Sequence, residues 1–545
     1  MRLRAALIVV SLLLVGLYYR WGAHAAGVDF QWDGHAGGYY NLLAQGFAAG
    51  HLYLPVSPSP ELLSKTNPWD PAVDDSLKLY DAALFHNRYY LYHGIAPALV
   101  LFLPFRLLTH RDLPENFASF LFCFAGYLFS AAALLQLIRS GPLRTSFLLL
   151  ALGLTTGIPF LLNRTWVYEI AIAAGYCFSS AALCCLLGGM AVNSRRWFAA
   201  GGLACGLAIA SRPHLGLFAV AFFALMLLRR PRALPAFLLP LLLAGLGIGL
   251  YNEQRFGNPT EFGMTYLLTG RNQNKVRPAL ANVAPESFYL LAAPPRTGPV
   301  FPWLRMAWPP AEISRPRDFY LEPSVGALWL APFLPFILLL PGRPGPHRLL
   351  CLLFALASGG IFLFLASTGW STQRYEVDFL PALVLVSLVC LAGLRNPLAR
   401  TVATLLILGG ISVNLAIAVG GPLDEMLRNR PDRFVRLSQL ITPLERYRLR
   451  LDAPFSLRCP VSRSRTLLSV GGTLFRYELV AEGERTLVSR RFDSEVRADV
   501  GEVREVEVRY AAGDLVVLSN GVERLRHRLG HLLTAPVDLE GACRP

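Results

Sequence analysis

Charge is scarce in this chain, and carboxylates are missing where arginines gather. Of 545 residues, 16% are charged and 54% hydrophobic, with a mean hydropathy of +0.43. A soluble protein would carry roughly a quarter of its residues as Asp, Glu, Lys or Arg. No Gly-x-x-x-x-Gly-Lys-Ser/Thr loop cradles nucleotide phosphates. Neither a zinc-type Cys/His spacing nor a Gly-x-Ser-x-Gly elbow occurs. These absences argue against an ATP-driven pump, a zinc enzyme and an α/β-hydrolase. Six short stretches hold arginine but no Asp or Glu: Arg2 and Arg4, Arg139 to Arg144, Arg195-Arg196, Arg229 to Arg232, Arg343 to Arg348, and Arg395 to Arg400. Cytoplasmic loops of membrane proteins retain Lys and Arg, so these stretches read as the inside face. The net charge of +15 therefore reflects topology and not a nucleic-acid partner, because the arginines end apolar helices.

Apolar runs near 20 residues recur up to about residue 420, which defines an all-α polytopic membrane protein. Met1 to Trp21 reads as an uncleaved first helix and not a removed signal sequence. Spans are expected at about 5–21, 116–138, 145–162, 170–190, 197–211, 214–228, 233–251, 325–341, 348–367, 377–394 and 398–420. The apolar stretch from Gly94 to Thr109 is short and holds Pro97 and Pro104. If it crossed the membrane, every later arginine loop would face outside. Parity therefore lays it along the interface as a juxtamembrane helix. Eleven spans follow, with the N-terminus inside, the C-terminus outside, and two large external loops at 22–115 and 252–324.

After residue 420 the composition changes. An amphipathic helical linker is expected over 421–454, and alternating strands with Gly and Asn-Gly turns over 455–545. The latter read as an external, soluble all-β domain of sandwich type. Seven of nine cysteines fall in predicted spans as small packing residues. Cys459 and Cys543 bracket the β domain and make a plausible disulfide in an oxidising compartment.

The first external loop reads Val28-Asp29-Phe30-Gln31-Trp32-Asp33-Gly34-His35 and runs on through Tyr39-Tyr40-Asn41 to a Gly50-His51-Leu52-Tyr53-Leu54-Pro55 exit. Further along stand Tyr80-Asp81, Asn87 to Ala98, Tyr251 to Pro259, and Gln373-Arg374-Tyr375-Glu376. This ordered series over residues 1–420 resembles the GT-C superfamily of integral membrane glycosyltransferases. It is similar to the dolichyl- or undecaprenyl-phosphate mannosyl- and aminoarabinose-transferase type. The resemblance implies a polyprenyl-phosphate-linked sugar as donor and an early Asp in the first loop as general base or metal ligand. By position that is Asp33, with Asp29 the rival. It also implies a second cavity acid, for which Glu169 is the match.

The residues support these roles on their own chemistry. A carboxylate held near an acceptor hydroxyl takes its proton as the new bond forms, although a loop aspartate also serves as a helix cap. Glu169 is costly to bury without a role or partner, and Arg164 is close enough in sequence to pair with it. Arginine holds phosphate with a planar fork. Arg374 and Arg212, each at the external end of a span, are the donor-phosphate candidates, with Arg164 behind them. Arginines also snorkel at such positions for structural reasons. Asp81, His93 and Glu376 are further cavity candidates. No residue spacing marks a metal site, and a divalent cation is the one cofactor that the external acids would accommodate.

The reading that follows is a glycosyltransferase of the bacterial cytoplasmic (inner) membrane with an external, periplasmic C-terminal domain. Its acceptor is a glycan, lipid or protein. The alternatives are a lipid or saccharide transporter or flippase, and a non-catalytic membrane scaffold. No internal repeat favours a transporter, and nearly all the charges lie at the interfaces.

Overall fold

In a bilayer no water satisfies the backbone, so each apolar run must bond its own peptide groups as a helix. The computed structural model describes residues 2–27, 29–30, 32, 38–269, 278–297, 301–306, 313–316, 319–342, 345–421, 425–441, 455–461, 465–470, 477–483, 485–491, 494–511, 514–528 and 537–538. Among them six helices are long and apolar enough to cross a membrane: Leu3–Ala25, Glu115–Leu137, Val167–Val192, Pro231–Phe256, Arg348–Thr368 and Pro397–Gly420. Shorter apolar helices occupy Ala98–Thr109, Pro142–Leu154, Pro213–Arg229 and Leu380–Ala392. Arg195–Ser211 forms a further helix of 17 residues. The protein is thus mostly helical, with a strand-rich C-terminal region.

Two expected spans are broken. Over 145–162, the helix Pro142–Leu154 stops before Gly157, which adopts a left-handed conformation at φ 74°, and a single turn follows at Ile158–Leu161. Over 325–341 there is no continuous helix, only Ala327–Leu330 and a 3-10 segment, Leu334–Leu339. Pro332 and Pro335 account for this break, because a proline lacks the N–H and clashes with the preceding turn. The carbonyl of Leu330 accepts instead from Asn414 Nδ2 at 2.9 Å. Asn414 is fully buried; it also donates to Gly410 O (2.8 Å) and accepts from Gly157 N (3.2 Å). One side chain therefore serves the backbone at both breaks.

The chain forms two compact units. The first comprises Met1–His24, Val28–Pro294 and Pro309–Leu415, the second Ala25–Gly27, Pro295–Trp308 and Ala416–Pro545. In the first, Val167–Val192 is almost wholly enclosed. It packs on Glu115–Leu137, where Gly126 faces the Tyr176 ring and Ser130 Oγ donates to Ser180 Oγ at 2.9 Å. The Arg195–Ser211 helix lies so close to Leu234–Phe256 that a Cβ at Gly202 would strike the Phe237 carbonyl. One at Gly206 would strike Ala244. Lipid supplies no hydrophobic drive between helices, so close approach at small residues four apart supplies the packing.

The connection after the first helix carries a helix at Tyr39–Ala48 and a hairpin pairing Ala83–Phe85 with Arg88–Tyr90. His86 and Asn87 at its turn both have positive φ, as a type I′ turn requires. The stretch expected along the interface is helical over Ala98–Thr109 and leaves Leu99, Val100, Leu107 and Leu108 exposed.

In the second unit, helices Glu425–Asn429 and Pro431–Ile441 precede two antiparallel sheets. Five strands run in the order Ser494–Asp499, Thr486–Arg491, Tyr477–Glu482, Arg465–Val470, Val537–Asp538. Four others run Val522–Arg528, Asp514–Ser519, Glu505–Ala511, Phe455–Pro460. Glu505–Ala511 alternates buried and exposed positions, which places Val506, Val508 and Tyr510 on the inner face. Ser489 Oγ and His527 Nδ1, one from each sheet, lie 2.8 Å apart. Cys459 is disulfide-bonded, whereas Cys543 lies outside the described residues.

Gly202→Val should force apart two helices now in backbone contact. It is expected to destabilise the first unit by about 1–3 kcal/mol, read as a lower unfolding midpoint in detergent. An unchanged midpoint would mean that the two helices do not depend on this approach.

Candidate functional site

Several helix ends converge on one cavity in the first unit. Its volume is about 1020 Å³. The walls come from the first connection (Tyr39, Asp81, His93), the start of Glu115–Leu137, the start of Val167–Val192, the Ser211–His214 turn, the end of Leu234–Phe256 and the Tyr320–Tyr375 region. A glycine makes the first of these junctions. Any Cβ at Gly94 would strike the carbonyls of Ala210 and Ser211, so the 92–95 segment lies directly on the end of the Arg195–Ser211 helix. Tyr40 donates its hydroxyl proton to Gly94 O at 3.1 Å from the other side.

Of the residues expected from the sequence, Asp81, His93, Arg212 and Arg374 line this cavity. Asp81 takes a left-handed conformation at φ 61°, uncommon for a residue with a side chain. Burial pushes its carboxyl up to about 7, against the pull of Arg374. His93 is buried, with its ring edge-on to Tyr168 at 4.9 Å and Nε2 without a hydrogen-bond partner among the described residues. Burial, reinforced by the charges of Arg212 and Arg374, holds its imidazole well below the usual range, so the ring is neutral.

Glu169 and Arg164 stand behind the wall in an ion cluster. Arg374 Nη1 lies 3.3 Å from Glu169 Oε1 and 3.6 Å from Glu322 Oε2. Arg164 Nη2 lies 3.7 and 3.4 Å from the same two atoms. Two guanidiniums thus face two carboxylates, and each arginine also covers a ring, Tyr168 under Arg374 and Trp166 under Arg164, both at 4.5 Å. Glu169 Oε2 accepts from Trp166 N at 3.0 Å, closing the first turn of Val167–Val192. Burial opposes the charge on Arg374, yet Glu322 and Glu169 outweigh it and hold that group above its ordinary value. Burial likewise pushes Glu322 up, but Arg374 and Arg164 bring its carboxyl below the usual range.

A second cluster fixes Arg212. Its Nη2 lies 2.8 Å from Asp378 Oδ2, which also meets His214 Nε2 at 3.0 Å. The Nε atoms of Arg212 and Arg374 have no hydrogen-bond partner among the described residues. Each guanidinium is oriented by carboxylates behind it while a donor is left over. Glu376 is elsewhere: fully buried, it accepts from Gln373 Nε2 at 2.9 Å, and burial pushes its carboxyl well above the usual range. Asp29 is exposed. Asp33 lies outside the described residues. Among the described residues no three His, Cys, Asp or Glu side chains gather to hold a metal ion.

Sequence reasoning missed Glu322, Glu115 and Arg255, and gave no role to His214. Glu115 Oε1 accepts from Tyr40 N at 3.2 Å, and Gly38, at φ 90°, leaves room for that carboxylate at the head of the Tyr39–Ala48 helix. The available signal was position: Glu115, His214 and Arg255 each stand in the terminal turn of an apolar helix.

The sequence matches no protein-family model and no curated protein sequence. Among solved structures it is similar to the apo form of the Archaeoglobus fulgidus oligosaccharyltransferase, at 13% identity and a TM-score of 0.38. The match covers 76% of this chain and 55% of the neighbour, so the chain spans about half of that protein's length.

Glu169→Gln would remove one of the two carboxylates that Arg164 and Arg374 share. Breaking a buried pair costs roughly 3–5 kcal/mol, so thermal unfolding should fall by a corresponding amount. If the variant unfolds like the wild type, the cluster is not a structural support and Glu169 returns as a candidate for chemistry.

Proposed function

We propose that the protein is a membrane glycosyltransferase of the GT-C type, moving a sugar from a polyprenyl-phosphate carrier to a hydroxyl of a glycan, lipid or protein acceptor. One observation carries this reading. A cavity of about 1020 Å³ holds two oriented guanidiniums, Arg212 and Arg374, beside Asp81, whose carboxyl titrates near 7. The acceptor's proton passes to a carboxylate of the first connection, its oxygen bonds the anomeric carbon, and the bond from that carbon to the phosphate oxygen breaks. The polyprenyl phosphate leaves with the electron pair. Its charge is met by N–H groups that Arg212 and Arg374 do not spend on their ion pairs, a preorganised form of electrostatic stabilisation. A base poised near neutral pH suits the proton transfer. Asp81 has that property, and Asp33, expected from position in the chain, is the other candidate.

The side on which this happens follows from the arginine stretches: with those inside, the cavity opens outward. Eleven crossings, a cytoplasmic N-terminus and a bacterial inner membrane complete the reading. The two C-terminal sheets are taken as an external sandwich, with Cys459 paired to Cys543. Bilayer lipid surrounds the first unit.

The test is a transfer assay in membranes with radiolabelled polyprenyl-phosphate sugars. With Asp81 as base, kcat/KM rises with pH through about 7 and levels off, because only the deprotonated carboxylate accepts a proton. Asp81→Asn should cost about 10²- to 10⁴-fold and remove that limb. Full activity in Asp81→Asn with loss in Asp33→Asn would move the base to Asp33. No transfer from any donor would sink the glycosyltransferase reading and favour transport.

A further inference from the structure

The cavity holds a third guanidinium that the proposed transfer does not use. Arg255 stands in the last turn of the Leu234–Phe256 helix and lines the wall. Aromatic rings fix it, with Tyr251 at 3.9 Å and Phe256 at 4.6 Å from the guanidinium carbon. Nη1 donates to Leu91 O and Nη2 to Asn252 Oδ1, both at 2.6 Å. Those bonds leave Nε, which is buried without a partner among the described residues, and the second hydrogen on each Nη.

Charge sets Arg255 apart from its neighbours. Arg212 and Arg374 each have a carboxylate within 4 Å, but Arg255 has none among the described residues. Glu261, whose charge reaches it, spends its oxygens on the Gly263 N–H and the Thr265 hydroxyl, both at 2.6 Å. An arginine that only anchors a helix end extends its head into water. This one is 4% exposed. A buried cation without a counterion is costly, and here the adjoining cavity can admit the missing anion.

We propose that Arg255 receives a second anionic group, a carboxylate or phosphate carried by the sugar or by the acceptor, so that the site selects an acidic substrate. Its planar fork suits either anion, and the two backward hydrogen bonds and the rings set its orientation before binding. The anion is "second" because this inference rests on the reading that Arg212 and Arg374 hold the donor phosphate.

The test is isothermal titration of the purified full-length protein in nanodiscs, with farnesyl phosphate saturating the Arg212 and Arg374 site, using two pairs of probes, glucuronate against glucose and glycerol 3-phosphate against glycerol. Wild type should prefer one acidic member by about tenfold, the worth of a charged hydrogen bond. A glucuronate preference assigns the anion to the sugar, and a glycerol 3-phosphate preference assigns it to the acceptor. Arg255→Gln should abolish the preference, and Arg88→Gln, outside the cavity wall, should keep it. Arg255→Lys, which retains the charge and guards against a misfolded Gln variant, should keep it in part. No preference in wild type, or one undiminished in both Arg255 variants, overturns the proposal. Failure of the underlying reading would appear separately, as farnesyl phosphate binding that Arg374→Gln leaves intact.

Discussion

A guanidinium does not give up its proton inside a protein, so every arginine taken out of water must find compensation. That constraint organises the cavity. Arg374 and Arg164 are held by Glu169 and Glu322, and Arg212 by Asp378. The carboxylates come from segments far apart in the chain, so satisfying the charges brings the start of Val167–Val192, the 320–322 segment and the 373–378 turn to one place. Much of the cavity wall is therefore the front of an electrostatic framework whose rear is already neutralised. Cations so arranged keep a fixed direction while still having donors to offer.

The same framework divides the acids by environment. Glu169 and Glu322 lie against arginines, whereas Asp81 faces the cavity and Glu376 is sealed behind it with Gln373. Carboxyls in such different surroundings hold their protons differently: the arginines hold Glu322 below the usual range, Asp81 titrates near 7, and burial holds Glu376 well above the usual range. Environments that separate titrations in this way are how one cavity can offer both a fixed charge and an exchangeable proton.

Much of this was legible in the chain. Periodic apolar runs marked the long helices, and alternation around Val506 and Val508 marked the C-terminal strands. The Arg164–Glu169 pair was visible because its members stand five positions apart. The tighter contact of Glu169 with Arg374 was not, since the two stand 205 positions apart and only folding joins them. Arg255 stayed hidden for a related reason: that no carboxylate among the described residues lies within 4 Å of it is a fact about space, while in sequence Glu253 stands two residues away. The run from 325 to 341 is apolar enough to read as a span, yet its prolines outweigh its hydropathy. Asp33 and Cys543 lie outside the described residues, so their parts rest on the sequence alone.

That broken run changes what its surroundings tolerate. Where two side chains form a buried polar pair, replacing both by apolar groups of the same shape can be neutral or helpful. Around Asn414 the rule inverts. The amide stands in for a missing turn of helix, supplying a donor to Leu330 and an acceptor for Gly157. A leucine there would fit the space and still leave two peptide groups bare where no water reaches them. The first unit thus contains a spot where greasier means weaker, and it lies beside the prolines that interrupt the helix.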